Sequence, residues 1–110
     1  MAADRITKLR AFADARPQDP FPRYALALEH RNAGDHAQAW AVFERLLADH
    51  PDYTAGYLHA GNALLASGRR DEAGEVWRKG VEVCAKQGDH HARGELEGAL
   101  ASIATATGGT

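Results

Sequence analysis

The sequence predicts an all-α chain of about six helices, folded as stacked antiparallel hairpins. Three observations carry this. Glycine, alanine and aromatic positions recur at a 34-residue interval. The apolar residues between them fall at helical spacing. No stretch shows the strict alternation and β-branched enrichment of a strand. The recurrence is centred on residues 32–51, NAGDHAQAWAVFERLLADHP. One interval on, Gly34 becomes Gly68, Ala39 becomes Ala73, Phe43 becomes Trp77 and Leu47 becomes Val81. One interval back, Pro51 falls on Pro17 and Phe43 on Leu9. A period of this length reads as an array of helical hairpins.

Taken in order, residues 4–15 place Ile6, Leu9, Phe12 and Ala13 on one face, with Asp4 positioned to cap the start. In the 34-residue register this is the second helix of a hairpin whose first is missing. Pro17, Pro20 and Pro22 end it. The next helix spans 21–33, tolerates Pro22 in its first turn, carries Tyr24, Leu26, Ala27 and Leu28, and stops at Gly34. Asp35 or His36 opens its partner, where Ala39, Trp40, Phe43, Leu46 and Leu47 form a broad apolar stripe. Residues 53–67 repeat the first kind of helix with Tyr57, Leu58, Ala60, Gly61, Leu64 and Leu65, and Gly68 stops it. Residues 71–87 answer with Ala73, Val76, Trp77, Gly80, Val81 and Cys84. Gly88 and Asp89 form a stop and a cap, and a last helix covers about 90–105 through Ala92, Leu96, Ala99, Leu100 and Ile103. The tail 107–110 should fray.

Composition bounds the function classes. A chain of 110 residues with 45% apolar residues builds one compact domain with a modest core. A net charge of −2 leaves no basic excess for a phosphate backbone, so nucleic acid is not the expected partner. The apolar runs are too short to span a bilayer, and the N-terminus lacks the charged-then-apolar order of a secretory signal. The single cysteine, Cys84, fits a reducing cytoplasm and reads as a small buried apolar residue.

At these residues the chain resembles the tetratricopeptide repeat family, in particular its short stand-alone bacterial members. The matching positions are Leu26, Ala27, Gly34, Ala39, Phe43 and Pro51 in a first repeat (20–53), and Tyr57, Gly61, Gly68, Ala73 and Trp77 in a second (54–87). The resemblance implies a short right-handed solenoid in a single domain, 1–110, with a half-repeat at 4–16 and a capping helix at 89–106. Small residues at Ala27 and Gly61 let helices approach, Ala39 and Ala73 sit at the hairpin crossings, and Phe43 and Trp77 fill the gaps between repeats. The chain departs from the pattern at four places. Arg23 and His30 stand where bulky aromatics are usual, and Ala85 replaces a closing proline. Gly80 replaces a small aliphatic, which should loosen its helix by about 1 kcal/mol relative to alanine.

The family exposes a concave surface built from the first helix of each hairpin. Here the resemblance assigns to it Phe21, Tyr24, Leu28 and Arg31, then Ala55, Leu58, His59, Asn62 and Leu65. Such a groove suits the apolar face of a helix or an extended peptide, with Arg31, His59 and Asn62 giving polar register. A clamp for a C-terminal carboxylate does not fit, because Tyr24 and Leu28 occupy the positions that would carry it.

Other chemistry finds little support. Six histidines invite a metal reading, yet adjacent helical residues such as His90 and His91 point about 100° apart. The histidines, including His30 and His36 beside the Gly34 turn, read as solvated turn and cap residues. Asp89 reads as an N-cap, the glutamates as exposed helix faces, and Arg69-Arg70 as a small basic spot. No nucleophile motif or phosphate loop is present. The expected function is therefore a non-catalytic, cofactor-free module that binds a protein or peptide in the groove. The alternative is a self-associating dimer built on Ile6, Leu9 and Phe12; a metal or hydrolytic domain rests on histidine number alone.

Overall fold

The structure, a computed structural model, describes residues 2–108, with side chains over 3–104. Six helices and no strand occur among the described residues: α1 (Ala2–Ala15), α2 (Pro20–Asn32), α3 (His36–Asp49), α4 (Ala55–Ala66), α5 (Arg70–Gln87) and α6 (His90–Gly108). Each helix packs against its neighbours in sequence, and α4 also touches α2 and α6. The helices α2, α4 and α6 thus line one face, while α1, α3 and α5 stand behind them.

The helix ends follow from local chemistry. Asp35 opens α3 by accepting a hydrogen bond from the Gln38 N–H at 3.1 Å, and Asp89 opens α6 by accepting from the Ala92 N–H at 3.1 Å. Asp19 accepts from the Phe21 N–H at 3.1 Å, so α2 begins one residue earlier than its periodicity suggests, at Pro20, which has no N–H to satisfy. Asp4 is not a cap: α1 starts at Ala2 and Asp4 lies inside its first turn, where a carboxylate still favours the helix dipole. Gly34, Gly68 and Gly88 are left-handed, with φ of 82°, 79° and 72°. After each, the next N–H donates to a carbonyl five residues back: Asp35 to His30, Arg69 to Leu64 and Asp89 to Cys84. With Ala85 in place of proline, α5 runs on for 18 residues against 14 for α3 until Gly88 stops it. The helix α6 extends through Gly108, past the start of the expected frayed tail, and 109–110 lie outside the described residues.

Two clusters form the core. Ala27, Ala39, Phe43, Leu46, Ala60 and Ala63 are buried in the first; Tyr57, Leu64, Ala73, Trp77, Cys84 and Leu96 in the second. Trp40, Leu47 and Val76 pack against both and join them. The small residues do what the spacing predicts. A methyl group at Gly61 would lie 2.0 Å from the Trp77 Nε1, so only hydrogen fits between α4 and that indole. Gly80 overturns its expectation. A Cβ there would sit 2.7 Å from the Tyr57 Cβ and 2.8 Å from the Leu96 Cδ1, so this glycine admits two core side chains instead of merely loosening α5.

Arg23 and Tyr57 stand 34 residues apart and make the same contact. The Tyr57 hydroxyl donates to the Pro51 carbonyl at 2.6 Å, and the Arg23 Nη2 donates to the Pro17 carbonyl at 3.1 Å. Arg23 also donates from Nη1 to the Asp49 carboxylate at 2.6 Å, which holds the Asp49 carboxyl below its usual range. A guanidinium thus fastens the turn between hairpins where an aromatic would otherwise do so.

His30 is the second departure from the aromatic pattern, and it is not solvated. It is 4% exposed, and its Nε2 has no hydrogen-bond partner among the described residues. Burial, and then the Arg10 charge, push its pKa below the ordinary histidine value.

Candidate functional site

The face lined by α2, α4 and α6 collects the groove residues in three settings. Phe21, near the start of α2, is 63% exposed, and Leu65, near the end of α4, is 39% exposed. Asn62 is also exposed. Leu28 and Leu58 are half-buried, because their inner sides pack on the two core clusters. Tyr24, Arg31 and His59 come together between them. The Tyr24 ring lies edge-on to Phe43 at 6.4 Å and to Tyr53 at 5.4 Å, and tilted against His59 at 5.9 Å. Tyr24 is therefore partly a core residue, not a free groove side chain.

Arg31 sets the chemistry of His59. Its Nη1 lies 3.0 Å from the His59 Nδ1, and its Nη2 donates to the Asn32 Oδ1 at 3.2 Å. A guanidinium can only donate, so Nδ1 must accept and the neutral ring carries its hydrogen on Nε2. Burial, followed by the Arg31 charge, lowers the His59 pKa.

The α6 helix supplies a third wall that sequence reasoning missed. Beside Tyr24, Leu58 and His59, the residues Ala92, Glu95 and Leu96, with Thr54 and Ala55, enclose a cavity of about 220 Å³. The Thr54 hydroxyl donates to the Asp89 Oδ2 at 2.7 Å, tying α6 to the start of α4. Glu95 lies 3.5 Å from the His91 Nε2. On the outer side of α6, a Cβ at Gly94 or Gly98 would meet none of the described residues within 4 Å. This wall was hidden because α6 keeps helical periodicity while dropping the residues that mark a repeat.

Two lowered histidine pKa values give a pH dependence. Below about 6.5 the unfolded chain takes up protons that His30 and His59 refuse in the fold, so stability is whole above that pH and falls as pH drops. Melting temperature is expected to fall between pH 7.5 and 5.5, and His30→Phe to remove part of the slope. A flat profile over that interval would contradict the burial of His30.

Other chemistry stays apart from this face. Cys84 is buried, and burial raises its thiol pKa, which keeps it protonated and unreactive. Among the described residues no three histidine, cysteine or acidic side chains gather as a metal site. No helix among them is long and apolar enough to cross a membrane.

Hairpins stacked by alternating large and small residues, with the first helix of each turned to a common face, define an α-helical repeat solenoid. The comparisons with known proteins agree. The sequence model described as tetratricopeptide repeat matches residues 31–82. A TPR repeat-containing protein of Pseudomonas aeruginosa is 31% identical over 74 residues, which are 67% of this chain and 70% of that one. The solution structure of a tetratricopeptide repeat domain protein from Salinibacter ruber matches with a TM-score of 0.73 at 37% identity, covering 78% of this chain and 87% of that one. A crystal structure of such a protein from the same organism gives a TM-score of 0.72 at 37% identity, covering 76% and 93%. The chain belongs to the tetratricopeptide repeat family. Members of this family are in general protein–protein interaction modules, and their fold is typically non-catalytic.

Proposed function

We propose that this protein is a non-catalytic interaction module that holds a helix or extended peptide of a protein partner against the α2, α4 and α6 face. The supporting observation is the pairing of exposed apolar residues at the start of α2 and the end of α4, Phe21 and Leu65. An apolar helix face can lie on these anchors. Arg31, His59, Asn62 and Glu95 offer polar register along the way. No cofactor is needed for this task, and the buried thiol of Cys84 suits a reducing compartment such as the cytoplasm.

The test uses peptides selected from a random dodecamer library against the full chain, with affinity read by fluorescence anisotropy. Phe21→Glu and Leu65→Glu should each weaken binding by about tenfold, equivalent to ~1.4 kcal/mol, without moving the melting temperature. Unchanged affinity in both variants would sink the groove. Tyr24→Ala is a poorer probe, because its ring supports Phe43 and Tyr53.

Self-association is the second reading, favoured by Phe12, which is 54% exposed on α1. Ile6 and Leu9 offer less to a second copy, being half-buried where α1 packs on α2. Solution mass across a concentration series separates the two readings.

A further inference from the structure

We propose that the cavity between Tyr24, His59 and Glu95 is a socket for a basic side chain, arginine or lysine, of the bound peptide. This rests on the groove reading above and assigns one residue of the partner. At about 220 Å³ the cavity is smaller than the ~300 Å³ at which small-molecule sites begin, and it suits a single side chain.

Its chemistry follows from counting what each group has left to offer. The Thr54 hydroxyl has spent its hydrogen on Asp89, so toward a ligand it presents lone pairs only. Asp89 is itself consumed by Thr54 and by the Ala92 N–H. Glu95 carries a full carboxylate, and its contact with His91 is an ion pair only when that imidazole is protonated. Tyr24 lines the cavity too, and its hydroxyl can donate or accept. On the other side of the ledger, the His59 Nε2–H is one neutral donor. The guanidinium of Arg31 keeps its charge while donating to the neutral His59 Nδ1 and Asn32 Oδ1, but it lies on the Nδ1 side of that ring and is not among the residues lining the cavity. Among the described residues that line the cavity, Glu95 alone bears a formal charge. An acidic side chain would meet the Glu95 carboxylate and the Thr54 lone pairs, and would be turned away. Leu58 and Leu96 complete the wall with apolar surface, which is what the methylene stem of lysine or arginine needs while its head reaches the carboxylate.

The experiment extends the peptide selection to a Glu95→Gln chain, a near-isosteric change at a half-exposed position. Peptides enriched on the native chain should share an arginine or lysine at one fixed spacing from their apolar residues. Replacing that residue by alanine should cost at least tenfold in affinity on the native chain and little on Glu95→Gln, so that the two changes are coupled in a double-mutant cycle. Peptides that respond to Phe21→Glu and Leu65→Glu, yet carry no basic residue or show no coupling to Glu95, would overturn the socket and leave the groove standing. Failure to enrich any peptide, or peptides indifferent to Phe21 and Leu65, would remove the groove and the socket together.

Discussion

Alanine at Gly61 is expected to lower the melting temperature by about 15 °C. The new Cβ would lie 2.0 Å from the Trp77 Nε1 and 2.4 and 2.5 Å from its Cε2 and Cδ1. The indole has nowhere to go. It is buried, and its N–H donates to the Leu58 carbonyl at 3.1 Å, on the same helix that the methyl would push away. Overpacking of this severity belongs at or above the top of the usual ~1–3 kcal/mol, and each kcal/mol moves the midpoint of a domain this size by roughly 4–8 °C. Thermal melts of Gly61→Ala, alone and with Trp77→Leu, would check it. The smaller side chain should recover part of the loss in the double variant, and an unchanged melt for the single variant would mean that α4 and α5 separate at no cost.

Gly80→Ala carries the second large effect, and there two physical arguments have opposite signs. As an interior helical position, Gly80 should gain about 1 kcal/mol from alanine. As a contact between α5, Tyr57 and Leu96, it should lose more, because the Tyr57 Cβ is fixed by its own backbone and its hydroxyl is tied to the Pro51 carbonyl. Packing is expected to win, with a net loss of about 2 kcal/mol. Gly94→Ala and Gly98→Ala are the controls, since a Cβ at either meets none of the described residues within 4 Å. Both should raise stability by up to ~1 kcal/mol in denaturant titrations. A stabilised Gly80→Ala chain would show that propensity outweighs the contact.

The legible part of this fold is the part written in periodicity. The hairpins could be read because Gly34 and Gly68 both need the left-handed turn and because Ala27, Ala39, Gly61 and Ala73 must be small where helices cross. These demands are local and repeat with the chain. What could not be read depends on partners distant in sequence. Gly80 looked like a weakness until Tyr57 and Leu96 converged on it. His30 looked like a solvated turn residue, since nothing in its neighbourhood announces its burial. The candidate site divides along the same line. Phe21, Leu58, His59 and Leu65 follow from repeat position, whereas Glu95 enters from a helix whose residues had left the pattern.

The shared contact of Arg23 and Tyr57 with the prolines of their turns has a consequence for building with this protein. Each hairpin resembles an interchangeable brick, but each is keyed to its address. Arg23 requires the carboxylate of Asp49 alongside its proline carbonyl, and the corresponding position in the second hairpin is Val83. Tyr57 requires the hollow left by Gly80 and the approach of Leu96, while the first hairpin offers Leu46 in place of that glycine. Duplicating either unit to lengthen the array would leave a guanidinium without its anion or a phenol without its hollow. The order of the hairpins is thus part of the blueprint, and an extended version would need its joints redrawn before any unit is copied.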